Sequence, residues 1–97
     1  MDIGRIKEME GYLNECEAAA ADLTAQVERM ENLRDHMIRL YKYYGSEAWH
    51  EDRDGELPAD VPAGVLSEDA VYDQITEVRD TAFRMLELAA DILKNRI

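Results

Sequence analysis

A long helical stripe of apolar residues in the first half of the chain constrains its fold most. Apolar residues recur there at alternating steps of three and four, which place side chains on one face of a helix. The stripe comprises Ile6, Met9, Leu13, Cys16, Ala20, Leu23, Val27 and Met30, and after a slip of register it continues at Leu33, Met37, Leu40 and Tyr44. The slip predicts local overwinding or a bend. We predict a helix over residues 3–44, capped by Asp2.

A second apolar stripe predicts another helix over residues 67–95. Ser67 can cap its N-terminus, and Glu68 and Asp69 lie in the first turn, where the helix dipole favours acidic side chains. A second apolar row joins the first from Ala82 onward. This row comprises Phe83, Leu86, Ala90, Leu93 and Ile97. We expect this half of the helix to contact more than one neighbour, because its apolar arc is wide.

The connection between the two stripes, residues 45–66, cannot be one regular helix. Gly45 can take the left-handed conformation that ends a helix, and Ser46 can cap a short helix after it. Gly55 follows Asp54 in a turn signal, and Pro58 and Pro62 exclude regular helix. We therefore predict a structured connection with a short helix at its start.

Most of the chain's negative charge lies in and just after the connection. Residues 46–73 contain nine Asp and Glu residues against one Arg, a net charge of -8, while the whole chain carries -11. Such a charge disfavours nucleic acid and anionic membranes as direct ligands, because phosphate contacts need Lys and Arg. If the chain has a charged partner, we expect a basic protein.

These patterns predict a single all-α domain over residues 1–97, with 46% hydrophobic residues. We expect a long, coiled-coil-like antiparallel helical hairpin with a structured acidic connection. The first helix would span roughly 60 Å and the second roughly 45 Å, so the start of the first helix would project beyond its partner unless it bends. We expect a second copy to cover this overhang in a dimeric bundle.

The single cysteine and the absence of long apolar runs predict a cytoplasmic protein. Cys16 has no second cysteine for an intrachain disulfide, which fits a reducing compartment. No signal peptide is visible at the start of the sequence, and its longest apolar runs are too short to span a bilayer.

An aromatic cluster beside the connection is the first candidate site. Tyr41 and Tyr44 share a helical face, and Trp49 follows the cap. They could form a ligand or peptide pocket, but we favour a small core that holds the connection, because aromatic residues dominate such cores. The candidate interaction surface comprises Tyr41, Tyr44, Trp49, Asp52, Leu57, Tyr72 and Asp73.

Metal binding and catalysis are weaker hypotheses. The acidic segment from His50 resembles an EF-hand loop in part, but position one is a histidine and position twelve is Val61 instead of Glu. A catalytic site could be assembled on paper from Ser46, His50 and Asp52, but nothing in the sequence indicates an oxyanion hole. We predict no enzyme activity, no cofactor and no tight metal site.

The residues around the connection also form a recognisable pattern. The pattern is Tyr43-Tyr44-Gly45-Ser46, Trp49, Asp52, Gly55, Leu57-Pro58, the run from Gly64 to Asp69, and Tyr72-Asp73. It resembles the signature of a small bacterial family known as a domain of unknown function, and the opening run from Arg5 to Glu10 resembles that family's usual start. The resemblance implies a short, stand-alone, mainly helical protein and assigns no catalytic residue, ligand or partner.

Taken together, these features predict a non-enzymatic interaction module that binds through its aromatic and acidic connection. Two alternatives stay open: an acidic decoy that mimics nucleic acid and blocks a basic protein, and a weak cation- or small-ligand-binding protein. Carboxylates fixed at the spacing of phosphates would favour the decoy. A closed pocket behind Trp49 would favour the ligand-binding protein.

Overall fold

The computed structural model describes residues 1–95, and all their regular structure is helical. In chain order the elements are α1 (Ile3–Tyr43), α2 (Glu47–Asp54), a 3₁₀ turn (Gly64–Leu66) and α3 (Ala70–Asn95). The predicted all-α class is confirmed, since no strand occurs among these residues. Ile97, which we placed in the second apolar row, lies outside the described residues.

The helix α1 is a continuous helix of 41 residues. The Asp2 carboxylate accepts a hydrogen bond of 3.0 Å from the backbone N–H of Arg5, as expected of an N-cap. Gly45 follows the C-terminal end with a φ of 76°, a conformation that glycine adopts without steric cost. These local signals place the helix ends within one residue of their predicted positions.

The chain divides into two compact units, and the first is Met1–Met37. Within this unit every residue up to Asn32 is exposed, including the apolar stripe of α1. Leu23, near the middle of the stripe, keeps 54% of its surface exposed. Tertiary packing supplies most of the stability of helices in proteins, and within this unit it leaves the stripe uncovered.

The second unit begins at Ile38 and contains the buried core of the described residues. That core is small, and its buried hydrophobic members are Trp49 and Val71, each 4% exposed. The Tyr41 hydroxyl bonds to the side chain of Gln74, while the Tyr44 hydroxyl, one turn later, bonds to the earlier residue Glu68. This order of contacts shows that the end of α1 and the segment leading into α3 run antiparallel, as expected of a helical hairpin.

The helix α3 begins at Ala70, three residues after the predicted start. Ser67 still acts as a cap, because its hydroxyl accepts a hydrogen bond of 3.0 Å from the Ala70 N–H. The residues between Ser67 and Ala70 form a turn that follows the 3₁₀ turn, so regular α-helix starts only after them. From Arg79 to Lys94 every residue of α3 is exposed.

No helix in the described part of the chain is both long enough and apolar enough to cross a membrane.

Candidate functional site

The connection is built around α2, whose start is fixed by its cap. The Ser46 hydroxyl accepts a hydrogen bond of 3.2 Å from the backbone N–H of Trp49, which satisfies one of the free amides of the first turn. The backbone N–H of Ser46 in turn donates to the Tyr43 carbonyl at 2.9 Å. The two bonds and the left-handed Gly45 turn the chain sharply from α1 into α2, and this turn directs Trp49 inward.

Trp49 is the centre of the site, and three kinds of contact hold its indole. Its Nε1 donates a hydrogen bond of 2.9 Å to the Val65 carbonyl. The Tyr44 ring packs edge-on against it, with centroids 5.5 Å apart and planes at 71°. The Arg53 guanidinium lies over the indole ring, 5.2 Å from the ring centroid. Trp49 therefore ties α2 to both the end of α1 and the 3₁₀ turn, and its predicted burial is confirmed.

Tyrosine hydroxyls provide further ties between the segments. Tyr41 donates to the Gln74 side-chain oxygen at 2.6 Å, and Tyr44 donates to the Glu68 carbonyl at 2.6 Å. Arg53 and Glu68 form an exposed ion pair of 2.7 Å, which contributes at most about 1 kcal/mol because water and salt screen it. These bonds attach the start of α3 to α1 and α2, so the aromatic cluster acts as the small core that we favoured.

Tyr43 forms a separate hydrogen bond on the outer side of α2. Its hydroxyl donates to the Asp52 carboxylate at 2.6 Å. This bond raises the pKa of Tyr43 above the usual value, because ionised tyrosine could no longer donate and would repel the carboxylate; reduced hydration adds to the rise. The Glu8 carboxylate, which accepts from the hydroxyl of Tyr12 in α1, raises the pKa of Tyr12 in the same way.

A groove with a volume of about 360 Å³ lies on the connection, beside the Tyr43–Asp52 pair. We call it the connection groove, and its lining combines apolar side chains with carboxylates. The lining residues are Tyr43, Glu51, Asp52, Gly55, Glu56, Leu57, Val61, Pro62, Val65 and Leu66. Leu57 and Val61 remain 44% and 43% exposed, so apolar surface is available there beside the carboxylates.

The predicted interaction residues fall into three groups. Tyr41, Tyr44 and Trp49 make internal contacts, and the indole of Trp49 is buried. Asp52 and Leu57 line the connection groove. Tyr72 and Asp73 instead line a shallow surface on α3 that also includes Thr76, Glu77, Asp80, Thr81 and Arg84.

Sequence reasoning missed several residues of the groove. Glu51, Glu56 and Val61 line it, although their spacing follows neither a helix nor a strand period. The available signal was the mixture of acidic residues with Leu57 and Val61 between Glu51 and Val61. A turn at Gly55 and two prolines bring such residues onto one surface, but their sequence spacing does not show it.

The residues of the metal and catalytic hypotheses lie mainly on α2. His50, Asp52 and Asp54 belong to this helix, so they do not form the loop with which an EF-hand surrounds its ion. Within residues 1–95, no group of three or more His, Cys, Asp or Glu is placed to hold a metal ion. The hydroxyl of Ser46 caps α2, and the His50 ring lies edge-on to Trp49, with centroids 5.0 Å apart.

Comparisons with known proteins identify the family of the chain. A search of curated proteins finds no match. Among protein families, the one described as Domain of unknown function (DUF4298) matches residues 6–88, which include most of α1, the connection and most of α3. The expected membership in a family of unknown function is confirmed: the chain belongs to the DUF4298 family.

Proposed function

We propose that this chain is a non-enzymatic protein-interaction module that binds a basic, partly apolar segment of a partner protein in its connection groove. One observation carries the proposal: the groove presents the carboxylates of Glu51, Asp52 and Glu56 beside the exposed side chains of Leu57 and Val61.

A groove lined by carboxylates and apolar side chains favours a partner segment that combines basic and apolar side chains. Apolar groups of the partner would bury surface on Leu57 and Val61, at about 25 cal/mol per Å² of area removed from water. Lys or Arg beside those groups would pair with the carboxylates, which favours fast encounter and correct orientation more than affinity. A purely acidic or purely apolar segment would satisfy only one half of the lining.

The internal contacts around Trp49 support the proposal, because they fix the groove before any partner arrives. Val65 lines the groove, and its carbonyl accepts the indole hydrogen bond. Tyr43 holds the carboxylate of Asp52 on the same surface. A preformed site loses less conformational entropy on binding than a flexible one, so even a modest area can support specific binding.

The proposal includes a cytoplasmic location and a dimeric state. Cys16 is exposed and unpaired, which fits a reducing compartment that keeps thiols free. Apolar residues along α1 and α3 are exposed, which favours pairing with a second copy in a coiled-coil-like bundle.

Affinity capture with paired variants tests this function. Wild-type chain and the Glu51→Lys, Glu56→Lys variant would serve as baits in an extract of the source cell, and captured proteins would be identified by mass spectrometry. The matched control, Glu8→Lys with Glu10→Lys, makes the same change of charge on α1. We expect a basic partner that the control retains and the groove variant loses.

The same experiment separates the two alternative functions. An acidic decoy depends on total charge, so both variants would weaken capture, and added DNA would compete for the partner. A Leu57→Asp variant would leave a decoy active, whereas it would disrupt the apolar part of the proposed groove. A cation- or small-ligand-binding protein would capture no partner, and the proposal would then fail.

A further inference from the structure

The most exposed apolar side chains in the helices form a row on α3. Phe83 and Leu86 are each 67% exposed and Leu93 is 81% exposed, whereas the large apolar side chains of the α1 stripe between Ile6 and Met30 are 41–54% exposed. We propose that this row, which we call the α3 row, docks against the α3 row of a second copy, with the two helices antiparallel. This surface lies apart from the connection groove, and the docking specifies the dimeric state of the proposed function without resting on what the groove binds.

The α3 row contains an empty hole of the kind found in coiled coils. In a coiled coil, one side chain inserts among four residues of the facing helix that are spaced i, i+3, i+4 and i+7. Arg79, Ala82, Phe83 and Leu86 have this spacing and line one depression on α3. The small side chain of Ala82 leaves room between Phe83 and Leu86. The hole therefore fits an apolar side chain from another helix.

The same row supplies the side chain that fits the hole. Leu93 lies ten residues after Phe83 on the same side of the helix, and it is more exposed than any other apolar residue in the described helices. In an antiparallel pair with its two-fold axis midway between Leu86 and Ala90, Leu93 of each copy meets Phe83 of the other. Leu86 then meets Ala90, so a large side chain faces a small one. The row is therefore complementary to itself.

Charges beside the α3 row favour the antiparallel direction. Asp80 and Lys94 lie on the same side of the row, and the antiparallel register places Lys94 of one copy next to Asp80 of the other. In a parallel pair, the copies of these two residues would lie on opposite sides of the contact, so Lys94 could not pair with Asp80 of the other chain. Glu87 lies close to the two-fold axis, where it faces the other Glu87, so we expect the dimer to be weakened by this one contact.

Light scattering on matched variants tests the surface. We expect the wild type to be a dimer and Leu86→Glu to raise the dimer dissociation constant about 100-fold or more, because it places a carboxylate in an apolar contact. Leu13→Glu makes the same change on the exposed stripe of α1 and should leave the dimer intact. Glu87→Gln should strengthen it. A monomeric wild type, or dissociation by Leu13→Glu alone, would overturn the proposal.

Cysteine cross-linking tests the direction. With Cys16→Ser as background, the Phe83→Cys, Leu93→Cys variant should form an intermolecular disulfide under mild oxidation. The Phe83→Cys variant alone should not, because its two thiols would be separated by ten residues, or about 15 Å along the axis, beyond disulfide reach. Efficient cross-linking by Phe83→Cys alone would establish a parallel pair and contradict the antiparallel docking.

Discussion

The indole Nε1 of Trp49 donates a hydrogen bond of 2.9 Å to the backbone carbonyl of Val65, sixteen residues later in the chain. This bond links α2 to the 3₁₀ turn, although the segment between them has no regular structure. Trp49 is also one of the two buried hydrophobic residues among those described. The shape of the connection groove therefore depends strongly on the contacts of this one side chain.

Replacement of Trp49 by Ala should destabilise the chain by about 3–5 kcal/mol, because it leaves a cavity in a core that has few other members. Trp49→Phe keeps most of the apolar contact and loses the bond to Val65, so it should cost about 1–3 kcal/mol. Urea unfolding followed by circular dichroism measures both values. A cost below about 1 kcal/mol for Trp49→Ala would mean that the indole does not hold the connection.

Replacing each of two glycines by alanine should change the stability of the chain in opposite directions. Gly45 has a φ of 76°, so Gly45→Ala should destabilise the chain by about 1 kcal/mol through backbone strain. Gly11 lies inside α1 with open space around its Cα, so Gly11→Ala should stabilise the helix by up to about 1 kcal/mol. Thermal unfolding of the two variants provides a matched comparison. If both substitutions changed the melting temperature equally and in the same direction, the assignment of Gly45 as the C-terminal cap of α1 would be contradicted.

The caps and the aromatic core were accessible from sequence because they depend on local chemistry. Asp2, Gly45 and Ser46 act where their side chains or backbone freedom predicted, and Trp49 is buried in the first turn that Ser46 caps. The start of α3 was placed too early, because the cap of Ser67 fits both a regular helix and the observed turn. Local sequence propensity cannot distinguish a regular helix from this turn, because the Ser67 hydroxyl can accept from a backbone N–H in both.

The connection groove was less accessible, because residues 55–63 follow no helix or strand period. The hydroxyls of Tyr41, Tyr43 and Tyr44 each donate to one particular acceptor, which the sequence does not indicate. For Tyr41 and Tyr44 the acceptor lies beyond the irregular segment, so it depends on the path of the chain between Gly55 and Ser67, which turns and prolines determine jointly. Leu57 and Asp52 were therefore identified as surface residues, while the carboxylates of Glu51 and Glu56 were not.

The Tyr43–Asp52 pair should make stability decrease at high pH. The folded chain raises the pKa of Tyr43, so the stabilisation from this bond is fully present below the usual tyrosine pKa of about 10 and is lost as pH rises through the higher folded value. In Tyr43→Phe, the part of the stability loss at high pH that comes from this hydrogen bond should be absent. Unfolding measured between pH 9 and 12 for wild type and Tyr43→Phe tests it, with the exposed Tyr72→Phe as control. Identical pH profiles for wild type and Tyr43→Phe would refute the assignment.

Stability should respond to ionic strength and show no specific response to calcium. Nine carboxylates against one arginine in residues 46–73 repel one another, and salt screens this repulsion. Moderate NaCl should therefore raise the melting temperature as much as calcium does at equal ionic strength. A further gain from micromolar calcium that is lost in the Asp52→Asn, Asp54→Asn variant would instead identify a metal site.

The central claim is that the connection groove binds a basic and partly apolar segment, and NMR measures this directly. A peptide of alternating Lys and Leu would be titrated into ¹⁵N-labelled chain, with a peptide of alternating Lys and Ser as the charge-matched control. The account predicts amide shifts concentrated at Glu51, Glu56, Leu57 and Val61, with the Lys-Leu peptide binding more tightly and with loss of these shifts in Leu57→Asp. Equal binding of both peptides, with shifts spread over the acidic residues of α1 and α3, would contradict it.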